Sequence, residues 1–121
     1  MDNSHKNVLK DKSYAFSIRA VKLCKHLRNQ KGEYVLSKQV LRSATSIGAN
    51  VAEANQAQSR ADFISKLSIA LKEAVETEYW LSLLRDTSYM SAGGAESILD
   101  DCTELIRLLT SIIKTTKKRT G

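Results

Sequence analysis

Val40, Ala44, Ile47, Val51 and Ala54 follow one another at spacings of four, three, four and three. That rhythm fits the 3.6-residue turn of a helix and no strand, whose side chains alternate with a period of two. The chain also contains no proline, a residue that helix interiors reject and loops commonly use. The same spacing recurs elsewhere along the sequence. Phe16, Ala20, Leu23, Cys24 and Leu27 predict a first helix over about 11–29, and Gly32 suits the left-handed turn that would end it. The second helix is expected to begin at Ser37, a favourable N-cap, and to fade near Asn55. Phe63, Leu67, Ala70, Leu71, Ala74 and Leu81 define a third, opened by Ser59-Arg60-Ala61-Asp62 in the manner of a capping box and reaching Arg85. Gly93-Gly94 closes a connection, after which Ile98, Cys102, Leu105, Leu109, Ile112 and Ile113 form the fourth stripe.

Short connections between such helices make neighbours antiparallel. The fold class that follows is all-α, an up-down-up-down four-helix bundle. A length of 121 residues suits a single domain over 1–121, with 1–10 and 115–121 expected as flexible tails. No apolar run is long enough to span a bilayer, and the first residues lack the apolar core of a signal peptide, so a cytoplasmic location without membrane contact is expected. Cys24 and Cys102 are far apart, lack metal-ligand spacing and fall on apolar helix faces. They read as reduced thiols used as small core residues.

Two features depart from a plain bundle. Helix three has more apolar surface than one face requires. Ile69, Tyr79, Trp80, Leu83 and Leu84 form a second apolar stripe, expected to be a subunit interface anchored by the tryptophan. Helix two carries a small, polar line through Ser43-Ala44-Thr45-Ser46-Ile47-Gly48-Ala49-Asn50, and Glu78 falls on the apolar side of helix three. Arg42, Ser46, Asn50, Glu53, Glu73, Glu76 and Glu78 are therefore expected to form an interhelical polar network, with Arg42 balancing a glutamate across the helices.

The net charge of +6 is unevenly spread: residues 1–52 carry +7, residues 53–104 carry −6 and residues 105–121 carry +5. Lys12, Arg19, Lys22, Lys25 and Arg28 on helix one, with Lys114, Lys117, Lys118 and Arg119 at the far end, are the candidate nucleic-acid residues. An antiparallel bundle brings the start of helix one near the end of helix four, so the two groups are expected to adjoin. Binding through them would be largely independent of sequence and sensitive to salt. Neither His5 nor His26 has a glutamate three residues before it, so the Glu-x-x-His pairs of di-iron bundles are missing. No P-loop, dinucleotide fingerprint or nucleophile elbow occurs either. The expectation is no enzyme, no catalytic residues, no metal and no cofactor.

The segment Gln39-Val40-Leu41-Arg42-Ser43-Ala44-Thr45-Ser46-Ile47-Gly48-Ala49-Asn50-Val51-Ala52-Glu53-Ala54 resembles the signature of a bacterial family. The likeness continues through Phe63-Ile64-Ser65-Lys66-Leu67-Ser68-Ile69-Ala70-Leu71-Lys72-Glu73-Ala74 and Glu76-Thr77-Glu78-Tyr79-Trp80-Leu81. This is the four-helix bundle family named for proteins encoded in intervening sequences of 23S ribosomal RNA genes, often labelled S23 ribosomal protein. The resemblance implies a ring-like homopentamer. It also implies kinship with the accessory variability determinant of diversity-generating retroelements, a basic bundle that works with a reverse transcriptase and nucleic acid. Arg42, Ser46, Asn50, Glu53, Phe63, Glu76 and Glu78 match the family pattern as architectural residues. Many relatives carry proline where Gly48 stands, which implies a straighter helix two or a different kink. The partners expected are further copies of the chain and RNA or DNA, with structured RNA favoured. The alternative is a protein adaptor whose acidic middle and Trp80 stripe meet another protein.

Overall fold

Several helix boundaries trace to single residues. The computed structural model describes the backbone of residues 3–119 and the side chains of 8–119. Four helices follow in order: α1 (Asn3–Lys31), α2 (Leu36–Ala54), α3 (Arg60–Asp86) and α4 (Ala92–Lys118). No strand occurs among the described residues. Gly32 terminates α1 at φ 62°, and the amide of Glu33 donates to the Leu27 carbonyl at 2.9 Å. A positive φ costs a glycine little, so the expected stop is observed. At the end of α3 the left-handed position falls instead on Ser88, φ 66°, beside a Tyr89 amide bonded to the Leu84 carbonyl at 3.0 Å. A side chain is strained there by about 1 kcal/mol. Ser88→Gly is therefore expected to raise the unfolding free energy by about 0.5–1 kcal/mol, read from a denaturant midpoint shift. A lowered midpoint would refute the strain.

The start of α2 corrects the sequence reading. Ser37 is not the N-cap; it lies buried in the first turn, and its hydroxyl donates to the Glu33 carbonyl at 3.0 Å. The capping acceptor is the Glu33 carboxylate, which accepts from the amides of Val35 at 3.1 Å, Leu36 at 2.9 Å and Ser37 at 2.7 Å. These donors and the positive end of the helix dipole suit an anion. Burial pushes the carboxyl up, and the amide bonds from Leu36, Ser37 and Val35 outweigh it, so its pKa lies below the ordinary 4.5. The stabilisation of a lowered carboxylate is fully present above that ordinary value and is lost as the pH falls through the native one. Glu33→Gln should cost about 1 kcal/mol at neutral pH by analogy with lost caps. The difference from the parent should shrink below pH 4.5. Equal pH profiles of thermal unfolding for the two proteins would refute the role.

Ser59 caps α3 as expected, accepting from the Asp62 amide at 3.0 Å. The reciprocal bond reaches the Gln58 amide at 3.4 Å rather than that of Ser59. Ser91 caps α4 by accepting from the Gly94 amide at 3.1 Å. Gly93 and Gly94 therefore belong to the first turn of the helix, not to the connection before it. α1 and α4 extend through much of the two segments expected as tails. Residues 1–2 and 120–121 lie outside the described residues.

Cross-helix pairs set the topology. Arg42 meets Glu73, while Glu53 meets Lys66, so residue numbers rise on α2 as they fall on α3. Lys12 with Glu104 and Arg19 with Asp101 give the same antiparallel register for α1 and α4. The extensive contacts are α1 with α2, α2 with α3 and α3 with α4, while α1 and α4 meet least. The result is an up-down-up-down bundle whose loosest seam is α1–α4. Its core is built around Phe16, Leu27, Ile47, Leu67, Leu81, Leu84, Leu105 and Leu109, all fully buried. Every position of the α2 apolar line is buried as predicted. Phe63, matched above to the family pattern, is also a core residue.

α2 runs unbroken through Gly48. A Cβ there would stand 3.0 Å from the Ser17 hydroxyl oxygen and 3.5 Å from the Ser13 carbonyl oxygen, so the glycine lets α1 and α2 approach closely. Both cysteines are buried and free. Burial, and secondarily the charge of Glu78, pushes the Cys102 thiol up to about 12, and its Sγ donates to the Ala74 carbonyl at 3.3 Å. A thiol so held is a packing residue rather than a nucleophile. Among the described residues no helix is long and apolar enough to cross a membrane.

Candidate functional site

The α2–α3 seam holds a polar network assembled from helix-spaced residues. The Arg42 guanidinium bonds both Glu73 oxygens at 3.3 and 3.4 Å, and it also pairs with Glu76. The same Glu76 oxygen accepts from the Trp80 indole N–H at 2.9 Å. The Trp80 bond holds the Glu76 carboxyl below its ordinary value; burial opposes this and Arg42 assists it. Glu76 in turn raises the pKa of Arg42. Ser46 donates to the Arg42 carbonyl at 2.7 Å, and Asn50 to the Ser46 carbonyl at 2.8 Å. These two satisfy themselves within α2. Glu53 is tied to Lys66 at 3.0 Å. The network is half-exposed at the surface of the seam and, like most surface ion pairs, contributes modestly. Its consequence is geometric, because it fixes the orientation of Trp80.

Glu78 does not join it. The side chain is half-buried and borders a groove with Val75, Tyr79, Leu99 and Thr103, facing α4 rather than α2. The buried place of α3 toward α2 belongs to Thr77, whose hydroxyl donates to the Glu73 carbonyl at 2.7 Å and shares a hydrogen bond with the Ser43 hydroxyl at 2.8 Å. Sequence reading missed this pair. The available signal was Ser43 and Thr77 standing on facing helices where apolar residues were expected.

The apolar stripe of α3 divides. Ile69 and Tyr79 are exposed, joined by Val75, while Leu83 is half-buried. Trp80 is half-buried against the core, and its ring meets Tyr79 edge to face at 5.1 Å. Leu84 is 0% exposed and belongs to the chain's own core. It is therefore corrected from interface to core. A second exposed apolar line occurs on α1, where Tyr14, Ile18 and Val21 share one side.

The basic residues also divide, because the helix register separates them. Lys12 is bound to Glu104 at 3.1 Å. Arg19 is bound to Asp101 at 2.6 Å and to the Ser97 carbonyl and hydroxyl. Both are thereby spent on holding α1 against α4. Lys22 and Lys25 are exposed and carry no ion pair among the described residues. Arg28 is half-buried, with an Nε that has no hydrogen-bond partner among the described residues. Lys114, Lys117, Lys118 and Arg119 stand at the opposite end of the bundle, where Arg60 donates to the Arg119 carbonyl at 2.9 Å. Gly94 and Lys117 are separated by most of α4, roughly 35 Å at the helical rise. Lys22, Lys25 and Arg28 therefore stand apart from the C-terminal cations, while Lys12, held at Glu104, lies between the two ends.

The family model of the 23S rRNA-intervening sequence protein matches residues 5–111. This chain belongs to that family. A solved protein of unknown function from the S23 ribosomal protein family of Bacteroides thetaiotaomicron is 62% identical, with a TM-score of 0.90 over 91% of this chain and 98% of its own. No curated protein matches the chain. The match to the 23S rRNA-intervening sequence family spans α2 and α3, where Arg42, Glu73 and Glu76 close the two helices together. Among the described residues of this family member, no group of three His, Cys, Asp or Glu side chains is placed to hold a metal ion.

Proposed function

We propose that this chain is a non-enzymatic, homo-oligomeric bundle of the cytoplasm that binds nucleic acid, with structured RNA favoured, by phosphate neutralisation. The observation that carries the reading is the contrast among its cations. Lys12, Arg19 and Arg42 are consumed by carboxylates, whereas Lys22 and Lys25 at one end, and Lys114 and Lys118 at the other, are exposed without ion pairs among the described residues. Exposed lysines on a chain of net charge +6 suit a polyanion. A ring of copies, as the family resemblance implies, would repeat each cluster and present a basic rim on each side. The implied kinship with the retroelement accessory determinant supports the same class of partner. The exposed Ile69, Val75 and Tyr79 supply the apolar contact for assembly, and the apolar α1 line of Tyr14, Ile18 and Val21 supplies a second face.

The test is a fluorescence-anisotropy titration of the purified chain with a structured RNA and a DNA duplex at several salt concentrations. Affinity falling steeply with log salt is expected. No binding at low salt would overturn the reading and favour the protein-adaptor alternative, for which the exposed α3 stripe is the specific support.

A further inference from the structure

The seam where α1 and α4 meet least contains a cavity of about 650 Å³ between the second half of α1 and the α3–α4 connection. This lies within the roughly 300–1,000 Å³ range of small-ligand sites. Its walls differ in chemistry. Lys22, His26 and Lys31 bring cationic or hydrogen-bonding groups from α1, all three exposed. Arg19 also lines it, but its guanidinium is committed to Asp101 and Ser97, and so it supports the wall. Ser88 and Ser91 offer hydroxyls from the connection, while the first turn of α4 carries no acidic residue to repel an anion. The floor is apolar, with Leu23, Met90 and Ile98, and Tyr89 packs beside it.

We infer that this cavity binds one nucleotide unit, with its phosphate on Lys22 or Lys31, which stand nine residues apart on α1, and the base against Tyr89 and Met90. Cations that carry no carboxylate partner favour a phosphate oxygen. An aromatic ring with a thioether neighbour favours a planar base. A simple anion would leave the apolar floor unused, and an apolar ligand would leave the lysines unused. The inference deepens the nucleic-acid reading and rests on it for the source of the ligand, because a free nucleotide and a strand end share this chemistry.

The test uses the full chain. Adenosine monophosphate, adenosine and inorganic phosphate are titrated by calorimetry, and a short single-stranded RNA by anisotropy. The variants are the double Lys22→Ala/Lys31→Ala, Tyr89→Ala, and a control Lys72→Ala at an exposed position of α3 outside the proposed binding residues. The expected result is that the monophosphate binds more tightly than adenosine or phosphate alone. The lysine double variant should weaken it roughly tenfold or more, and the control should leave it unchanged. Tyr89→Ala should reduce the advantage of the monophosphate over phosphate; loss of the phosphate affinity itself in that variant would overturn the base contact. RNA that binds with no response to the lysine double variant, together with no binding of the monophosphate, overturns the cavity and leaves the nucleic-acid reading standing. Monophosphate binding without RNA binding upholds the cavity and overturns that reading. Absence of both overturns both.

Discussion

Leu84→Ala is expected to lower the unfolding free energy by about 3 kcal/mol, whereas Tyr79→Ala should change it by about 0.5 kcal/mol or less. The two residues lie five positions apart on one helix, and both are large and apolar. Leu84 is 0% exposed and Tyr79 is 61% exposed. Truncating Leu84 removes buried methyl groups and leaves a cavity that the surrounding helices fill only in part. Truncating Tyr79 in the isolated chain removes surface that water already touches. The ranking reverses for assembly. If the exposed α3 stripe joins copies of the chain, Tyr79→Ala should shift the sedimentation profile from oligomer toward monomer, because aromatic anchors carry much of an interface. Chemical denaturation and sedimentation on both variants separate the roles. A Leu84→Ala loss below about 1 kcal/mol would sink the core placement. An oligomer untouched by Tyr79→Ala would remove this stripe from the assembly.

The second large effect concerns charge. Reversing Lys22 and Lys25 to glutamate should weaken RNA affinity by about two orders of magnitude at low salt and lower the log–log salt slope by about 2. Both residues are exposed and neither closes an ion pair among the described residues. The melting temperature should therefore hardly move. Arg19 offers the contrast, because reversing it would break the 2.6 Å bridge to Asp101 and place two anions together. A loss of affinity there would confound binding with the closure of α1 on α4. The matched reversal at Lys114 and Lys118 reports the other end of the bundle. Since the two groups are roughly 35 Å apart, loss from one reversal and not the other identifies the end that meets RNA. Unchanged affinity from both would sink the basic-surface reading.

Leu84 also shows why part of the fold could not be read from the chain. It follows Thr77 by seven positions, two helical turns, and so shares its side of α3. Thr77 interrupts the apolar line, which left Leu84 grouped with Ile69 and Trp80. In three dimensions the hydroxyl is satisfied by Ser43 and the Glu73 carbonyl, so a polar residue occupies a core position at little cost. Ser13 and Leu9 on α1 were missed for related reasons. Ser13 is buried with its hydroxyl donated to the Lys10 carbonyl at 3.1 Å, and Leu9 precedes the expected start of the helix.

The sequence by itself determined the number of helices, their antiparallel order, the Gly32 stop, the Ser59 cap and the whole buried line of α2. These depend on local spacing and on local hydrogen bonds, which neighbouring residues fix. It also determined family membership through the α2–α3 signature. Only the tertiary structure decided that Glu33 rather than Ser37 caps α2, that Arg42 takes Glu73 and Glu76 rather than Glu78, and that the basic groups stand at opposite ends. The Glu33 cap is a local contact, but Ser37 offered an equally good capping side chain in the same stretch, and only the backbone path chose between them; the Arg42 pairs and the placing of the basic groups depend on the register of one helix against another. A shift of three or four residues along an axis keeps the apolar faces together, while it changes every polar partner across the seam.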